Sequence, residues 1–173
     1  MTDPIAELLF SPADTTPMST DEATIKPWSQ AVACLAAAPK VWLCSVRGDG
    51  RPHVMPVLVA WVDDSPCVAT RPGSRKAVNL AENSSAVLTV SGDELDLVVE
   101  GVAELVTRAA NLDRIAAALL EKYEWEFAVR DGAVYDVGPL GPVEYLFYRI
   151  RPNRAFGYGS DGLTATRWRF GPR

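Results

Sequence analysis

Ser74, Arg75 and Lys76 stand in the order that a phosphate anchor needs. Pro72 and Gly73 mark a turn, Ser74 is a good N-cap, and Ala77 and Leu80 follow at helical spacing, so the sequence predicts a short helix beginning at 74 or 75. The first turn of such a helix offers unpaired N–H groups and the positive end of the helix dipole, and here two formal cations lie beside it. The dipole favours an anion by only about 0.3 to 1 kcal/mol at an exposed site, so the cations must supply much of any affinity. Taken alone, these residues fit a phosphate site and a solvated turn with two surface cations equally well.

The rest of the chain limits what such a site could serve. His53 is the single histidine, and Cys34, Cys44 and Cys67 show no metal-ligand spacing, so a zinc centre is a poor fit. Neither a second histidine nor a GxSxG elbow is present, which disfavours hydrolase chemistry. A lone histidine on a half-buried strand can bind a ligand or simply pack. The net charge of −5 argues against a general nucleic-acid or anionic-membrane binder, so any anion site must be local. No secretory pattern and no apolar run of membrane-spanning length occur, and Cys44 and Cys67 read as strand-core thiols; a cytoplasmic protein is expected.

These residues need a scaffold, and 173 residues with 48% hydrophobic and 23% charged content suffice for one packed domain. Residues 1–26, rich in Pro, Thr, Ser and Asp, read as a mobile arm able to dock through Leu8, Leu9 and Phe10, leaving 27–173 as the domain. Pro27 suits a first helical turn, with Trp28, Val32 and Leu35 on one face and Pro39 as the stop. Residues 41–47 and 51–61 read as two strands around a GDG turn. In the second strand apolar residues alternate on both sides, so both faces are expected to be covered, and Pro56 marks an edge or an interruption. The strand 67–70 then delivers the chain into the cationic loop. Beyond it come a strand at 86–91 and a long strand at 95–107 that Gly101 should bulge or bend. A helix capped by Asn111 runs to about 125, and a connecting loop covers 131–142. Strands at 144–151, 155–158 and 164–170 complete the chain. Strands joined by hairpin-length links, with three helices at intervals, predict a small antiparallel barrel with peripheral helices.

Five motifs carry a resemblance: GDGRPHVMPV at 48–57, ATRPGSRKAVNL at 69–80, VVEGVAELV at 98–106, KYEWEF at 122–127 and TRWRF at 166–170. Over about 41–170 the chain resembles the pyridoxamine 5'-phosphate oxidase-like split barrels of the flavin and deazaflavin oxidoreductase superfamily. The resemblance implies a mainly β fold with peripheral helices, a six-stranded antiparallel split β-barrel. It also implies a homodimer, with FMN or the deazaflavin coenzyme F-420 bound at the interface, acting as an oxidoreductase on a small organic substrate. A cofactor carrier without enzymatic activity, or a dimeric scaffold, is the alternative. By the same resemblance Ser74, Arg75 and Lys76 hold the cofactor phosphate, His53, Val54, Met55 and Pro56 lie along the ring, and Thr70 touches the cofactor from the barrel side. Trp168 is similar to an aromatic that the partner subunit places near the ring, although tryptophans near a C-terminus also anchor tails in the core. The ending RWRFGPR departs from the RLxP-type tail of authentic vitamin B6 oxidases, which disfavours that reaction; GSRK and WRF are closer to the actinobacterial branch.

Overall fold

The short alternating runs of the sequence form strands and the 3.6-residue runs form helices in a computed structural model that describes residues 3–11, 13, 18–139 and 141–171. In chain order the strands are β1 (Ile5–Leu8), β2 (Val41–Val46), β3 (Pro52–Val57), β4 (Val59–Val62), β5 (Ser65–Thr70), β6 (Ser85–Ser91), β7 (Leu95–Leu105), β8 (Phe127–Arg130), β9 (Ala133–Asp136), β10 (Val143–Gly159) and β11 (Ala165–Arg169). The α-helices are α1 (Trp28–Ala37), α2 (Arg75–Glu82) and α3 (Ala109–Tyr123). The fold is therefore mainly β with peripheral helices, and the strand pairs of the described residues are all antiparallel.

Read as one strand interrupted at Leu58, β3 and β4 close a circuit of six members: β2, β3 with β4, β5, β10, β7 and β6. Pro56 foreshadowed both features of this strand, because β3 ends the sheet path and breaks after Val57. The 17-residue β10 is the spine, pairing with β5 over 146–149, with β7 over 148–159 and with β11 over 154–158. Strands expected separately at 144–151 and 155–158 are thus one. Its register against β7 shifts between Pro152 and Arg154, opposite Gly101, where a Cβ would collide with the Arg151 carbonyl oxygen. The bend expected at Gly101 has this close approach as its cause.

Inside the circuit pack Leu35, Leu43, Leu88, Leu97 and Ile150 with Trp28 and Trp168, while Ile115 and Leu119 of α3 cover Phe147 and Cys67 on the other side of the sheet. Residues 1–2, 12 and 14–17 of the expected arm lie outside the described residues. Within it, Ile5–Leu8 docks as an edge strand on β11, with Leu8 opposite Thr166.

Three expectations need correction. Residues 131–142 are not a plain connector: β8 and β9 form a hairpin whose turn places Asp131 and Gly132 at φ 52° and 78°, the left-handed pair that a two-residue turn demands, although residue 140 lies outside the described residues. Helix α3 starts at Ala109 with Arg108 as N-cap, and Asn111 instead accepts a hydrogen bond from Arg114 at 2.6 Å. Nor are both faces of β3 covered within the chain, since Val54 and Met55 are 50% and 42% exposed beside the free edge.

The break at Leu58 leaves the backbone of Val59 without a ladder partner on one side. Tyr123 fills the gap: its hydroxyl accepts from the Val59 N–H at 3.1 Å and donates to the Val59 carbonyl at 3.0 Å, where Lys122 Nζ also donates at 2.9 Å. Tyr123→Phe should therefore strand a backbone N–H and destabilise the protein by about 1–3 kcal/mol, read from urea unfolding with the far-UV spectrum unchanged.

Candidate cofactor site

Helix α2 begins as the sequence predicts. Ser74 Oγ caps it by accepting from the Ala77 N–H at 3.3 Å, and Thr70 Oγ1, at the end of β5, lies 2.7 Å from the same oxygen. Thr70 is buried, so its hydroxyl orders the start of the helix from beneath. Arg75 is exposed and Lys76 half-buried, and neither has an ion pair among the described residues. Burial pulls the Lys76 amine below the usual lysine range, the effect of removing a cation from water without giving it a counter-charge.

His53 sits on β3 opposite Ser45 of β2 and faces the same region. Its Nδ1 is buried and has no hydrogen-bond partner. Its pKa is held below the ordinary imidazole value by burial first, and then by the charges of Arg47, Lys76 and Arg75. Arg47 also has no ion pair among the described residues. Sequence reasoning missed it, and the signal lay in the hairpin: Arg47 closes the β2–β3 turn through its N–H to the Arg51 carbonyl at 2.9 Å, which brings it back beside His53. The charges of three cations from two elements thus act on an imidazole with an unused buried nitrogen. An anionic group accepting a hydrogen bond from Nδ1–H would satisfy that nitrogen and offset most of the cluster's charge, so the residues present fit a phosphate.

Val54, Met55 and Pro56 continue from His53 along the edge strand and are exposed, Met55 on the side of His53 and Val54 and Pro56 on the opposite face. Arg71, in the same loop, turns away: its Nε is 3.4 Å from the Tyr145 hydroxyl and its guanidinium lies 5.9 Å from that ring's centre. Trp168 does not join the site. It is fully buried, packs edge-on to Trp28 at 5.6 Å, and donates its indole N–H to the Lys26 carbonyl at 3.0 Å. It is the anchor of the tail, because β11 pairs with β10 and turns Trp168 into the barrel. The residues 172–173 of that tail lie outside the described residues. The site is an open shelf; a hollow of about 460 Å³ between α1 and the β6–β7 turn, lined by Ala33, Cys34, Ala37 and Asp93, lies elsewhere. No group of three or more His, Cys, Asp or Glu among the described residues could hold a metal, and none of their helices is long and apolar enough to cross a membrane.

The cluster has a consequence for pH. With its folded-state pKa below the ordinary value near 6.5, His53 stays neutral while the unfolded chain takes up a proton, so its contribution to stability is lost as pH falls from about 6.5 through the folded-state value. Thermal melts between pH 7.5 and 5 should show a larger loss of stability for the native sequence than for His53→Gln. Added inorganic phosphate should narrow that difference. Because His53 is the single histidine, its imidazole resonances report the same titration directly.

A family model described as pyridoxamine 5'-phosphate oxidase matches residues 28–146. No curated protein matches the chain. Among solved structures, a conserved hypothetical protein of Mycobacterium tuberculosis is similar at 19% identity over 84% of this chain and 89% of that one, with a TM-score of 0.61. A pyridoxamine 5'-phosphate oxidase-related, FMN-binding protein of Nostoc punctiforme is similar at 18% identity over 86% and 92%, with a TM-score of 0.58. A heme binding protein of Mycobacterium smegmatis is similar at 17% identity over 84% of this chain and 56% of that one, also with a TM-score of 0.58. At these identities the likenesses speak for the fold alone. The family model spans most of the circuit of strands together with the cationic loop, and the chain belongs to the pyridoxamine 5'-phosphate oxidase family.

Proposed function

We propose that this chain is an oxidoreductase that binds FMN or the deazaflavin coenzyme F-420 as a homodimer and exchanges hydride with a small organic substrate. The observation that carries the reading is the unpartnered Nδ1 of His53 on β3 together with Arg47, Arg75 and Lys76, which have no carboxylate partners among the described residues and whose charges all act on that imidazole. Family membership and an FMN-binding protein of the same fold support it.

When bound, such a cofactor supplies two-electron chemistry through its ring. The chain's own residues bind and orient. Arg75, Lys76 and Arg47 hold the phosphate, and Ser74 and Thr70 keep the helix start in place beneath it. His53 Nδ1–H would donate a hydrogen bond to a phosphate oxygen. The free edge of β3 would border the ring, with Met55 covering it on the His53 side and Val54 and Pro56 contributing backbone and shape. Free thiols at Cys34, Cys44 and Cys67 accord with a reducing, cytoplasmic setting.

The homodimer rests on the outer sheet face. Cross-strand register sets Pro56 in a row with Trp42, Thr89, Val98 and Phe156, and Val54 in a second row with Cys44, Val87, Glu100 and Arg154. Trp42 and Val54 are 46% and 50% exposed at the apolar end of this face, and Glu100 and Arg154 give its far end a charged rim. A second protomer on this face would wall the open shelf.

Lys76→Ala should weaken FMN binding about 10- to 100-fold, the worth of a charge-assisted contact of about 1.5–3 kcal/mol, while riboflavin binding is unchanged. Equal FMN affinity in the two proteins, by absorbance titration, would sink the reading. Light scattering should give a dimer, and Trp42→Glu a monomer that holds FMN weakly. Hydride delivery from the loaded protein to quinone-like and unsaturated acceptors separates an enzyme from a carrier. Failure to take up FMN, F-420 or hemin identifies a scaffold.

A further inference from the structure

Two buried polar side chains join the elements that carry the cations. Asn79 of α2 is 1% exposed and its Nδ2 donates to Ser45 Oγ of β2 at 3.0 Å, with Ser45 itself 1% exposed. Ser45 Oγ also lies 3.5 Å from the carbonyl of His53, its partner across the β2–β3 ladder. Both side chains occupy positions where their neighbours in sequence pattern are apolar: Ala77 and Leu80 are the other buried residues of α2, and Val41 and Leu43 precede Ser45 on the inward face of β2.

Stability alone does not explain this pair. Replacing both partners of a buried hydrogen bond by apolar groups of similar shape is often close to neutral, whereas apolar contacts lack the directionality that fixes one orientation. The placement of the bond does explain it. Asn79 lies four residues beyond Arg75 and three beyond Lys76, on the same side of the helix, and Ser45 lies two residues before Arg47 and opposite His53. A bond between them ties the helix that carries two cations to the hairpin that carries the third and the imidazole. The same elements approach again at Gly48, where a Cβ would stand 3.0 Å from the flexible Glu82 carboxylate.

We propose that the Asn79–Ser45 hydrogen bond is an internal clamp that sets the separation of the two cation-bearing elements, making both residues positioning residues for capture of the cofactor's phosphate. The inference rests on the proposed phosphate role of this site. Neither residue touches the ligand; they act through Arg47, His53, Arg75 and Lys76.

The test compares the native sequence with Asn79→Leu, Ser45→Ala and the double variant. For each, affinity is measured for FMN against riboflavin, or for F-420 against its tail-less deazaflavin if that is the ring bound. The preference for the phosphorylated form should fall about tenfold in each single variant and no further in the double, since the two residues act as a unit. Affinity for the phosphate-free form should stay within about twofold. In parallel, the His53 imidazole should titrate closer to the ordinary histidine value in the variants, as Arg75 and Lys76 on α2 draw away from it while Arg47 remains. An unchanged preference with an unchanged His53 titration in folded variants would overturn the clamp, and so would parallel losses for both forms, which indicate general loosening. Ser45→Ala, the milder change, decides the matter if Asn79→Leu does not fold. If the native sequence binds neither ring, the proposed function falls separately. The clamp is then judged by the His53 titration and by whether inorganic phosphate shifts the His53 resonances in the native sequence but not in Ser45→Ala.

Discussion

A strand that changes partners must leave backbone groups unpaired at the changeover, and in this fold that constraint falls at Leu58. Up to Val57 the chain pairs with β2, and from Val59 it pairs with β5. The exchange closes the circuit of strands, yet it is stable only if Val59 finds partners outside the ladder. Tyr123 and Lys122, at the end of α3, supply them. Helix α3 thus does more than cover Phe147 and Cys67: its last turn holds the barrel shut. The same exchange releases β3 from any neighbour on its outer side, which is why an apolar edge strand stands open beside the cationic loop.

Three cations at this corner act on one histidine within an otherwise acidic chain. Arg51, Arg114, Arg149, Arg151, Arg167 and Arg169 are each paired with a carboxylate. Among the described residues Arg47, Arg75 and Lys76, like Lys40, Arg108 and Arg154, are not; what sets these three apart is that their charges all disfavour protonation of His53, which spares the cluster a fourth positive charge. Exposed ion pairs are worth little on their own, about 0–1 kcal/mol, so the contrast is not one of stability. It is one of availability: cations already satisfied cannot recognise a ligand, and these three are free to. Burying Lys76 halfway without a counter-charge costs stability in the free protein, and any anion that binds the folded form alone offsets that cost through mass action.

What could be read from the sequence follows from how far apart the determining residues lie. The turn, cap and helix of 70–80 were legible because Pro72, Gly73 and Ser74 act on their own neighbours, and Ser74 caps α2 as expected. Pro56 announced a disturbed strand for an equally local reason. Arg47 and the Asn79–Ser45 bond were not legible, since each depends on which strand lies beside which, and Asn79 reads as an ordinary helix-surface amide until its depth is known. Trp168 shows the ambiguity most plainly. An indole near the end of a chain suits a cofactor or a core, and only the pairing of β11 with β10 decides for the core. The hairpin β8–β9 carried an Asp131-Gly132 turn signal, but its four-residue strands are too short for their alternation to stand out.

One strand brings these threads together. The inward side of β3 presents His53 to the cations, while its outward side places Val54 and Pro56 on the outer sheet face, Pro56 in the row that continues through Trp42 to Val98 and Phe156. On the proposed reading, the same six residues serve a phosphate on one face and a second protomer on the other. A second protomer that walled the cofactor's shelf would make cofactor and partner bind with positive coupling, each raising the affinity of the other by the same factor. An edge strand closed by a neighbouring strand would have been more stable and could not have done this. The break at Leu58 keeps the edge free, and with it the coupling.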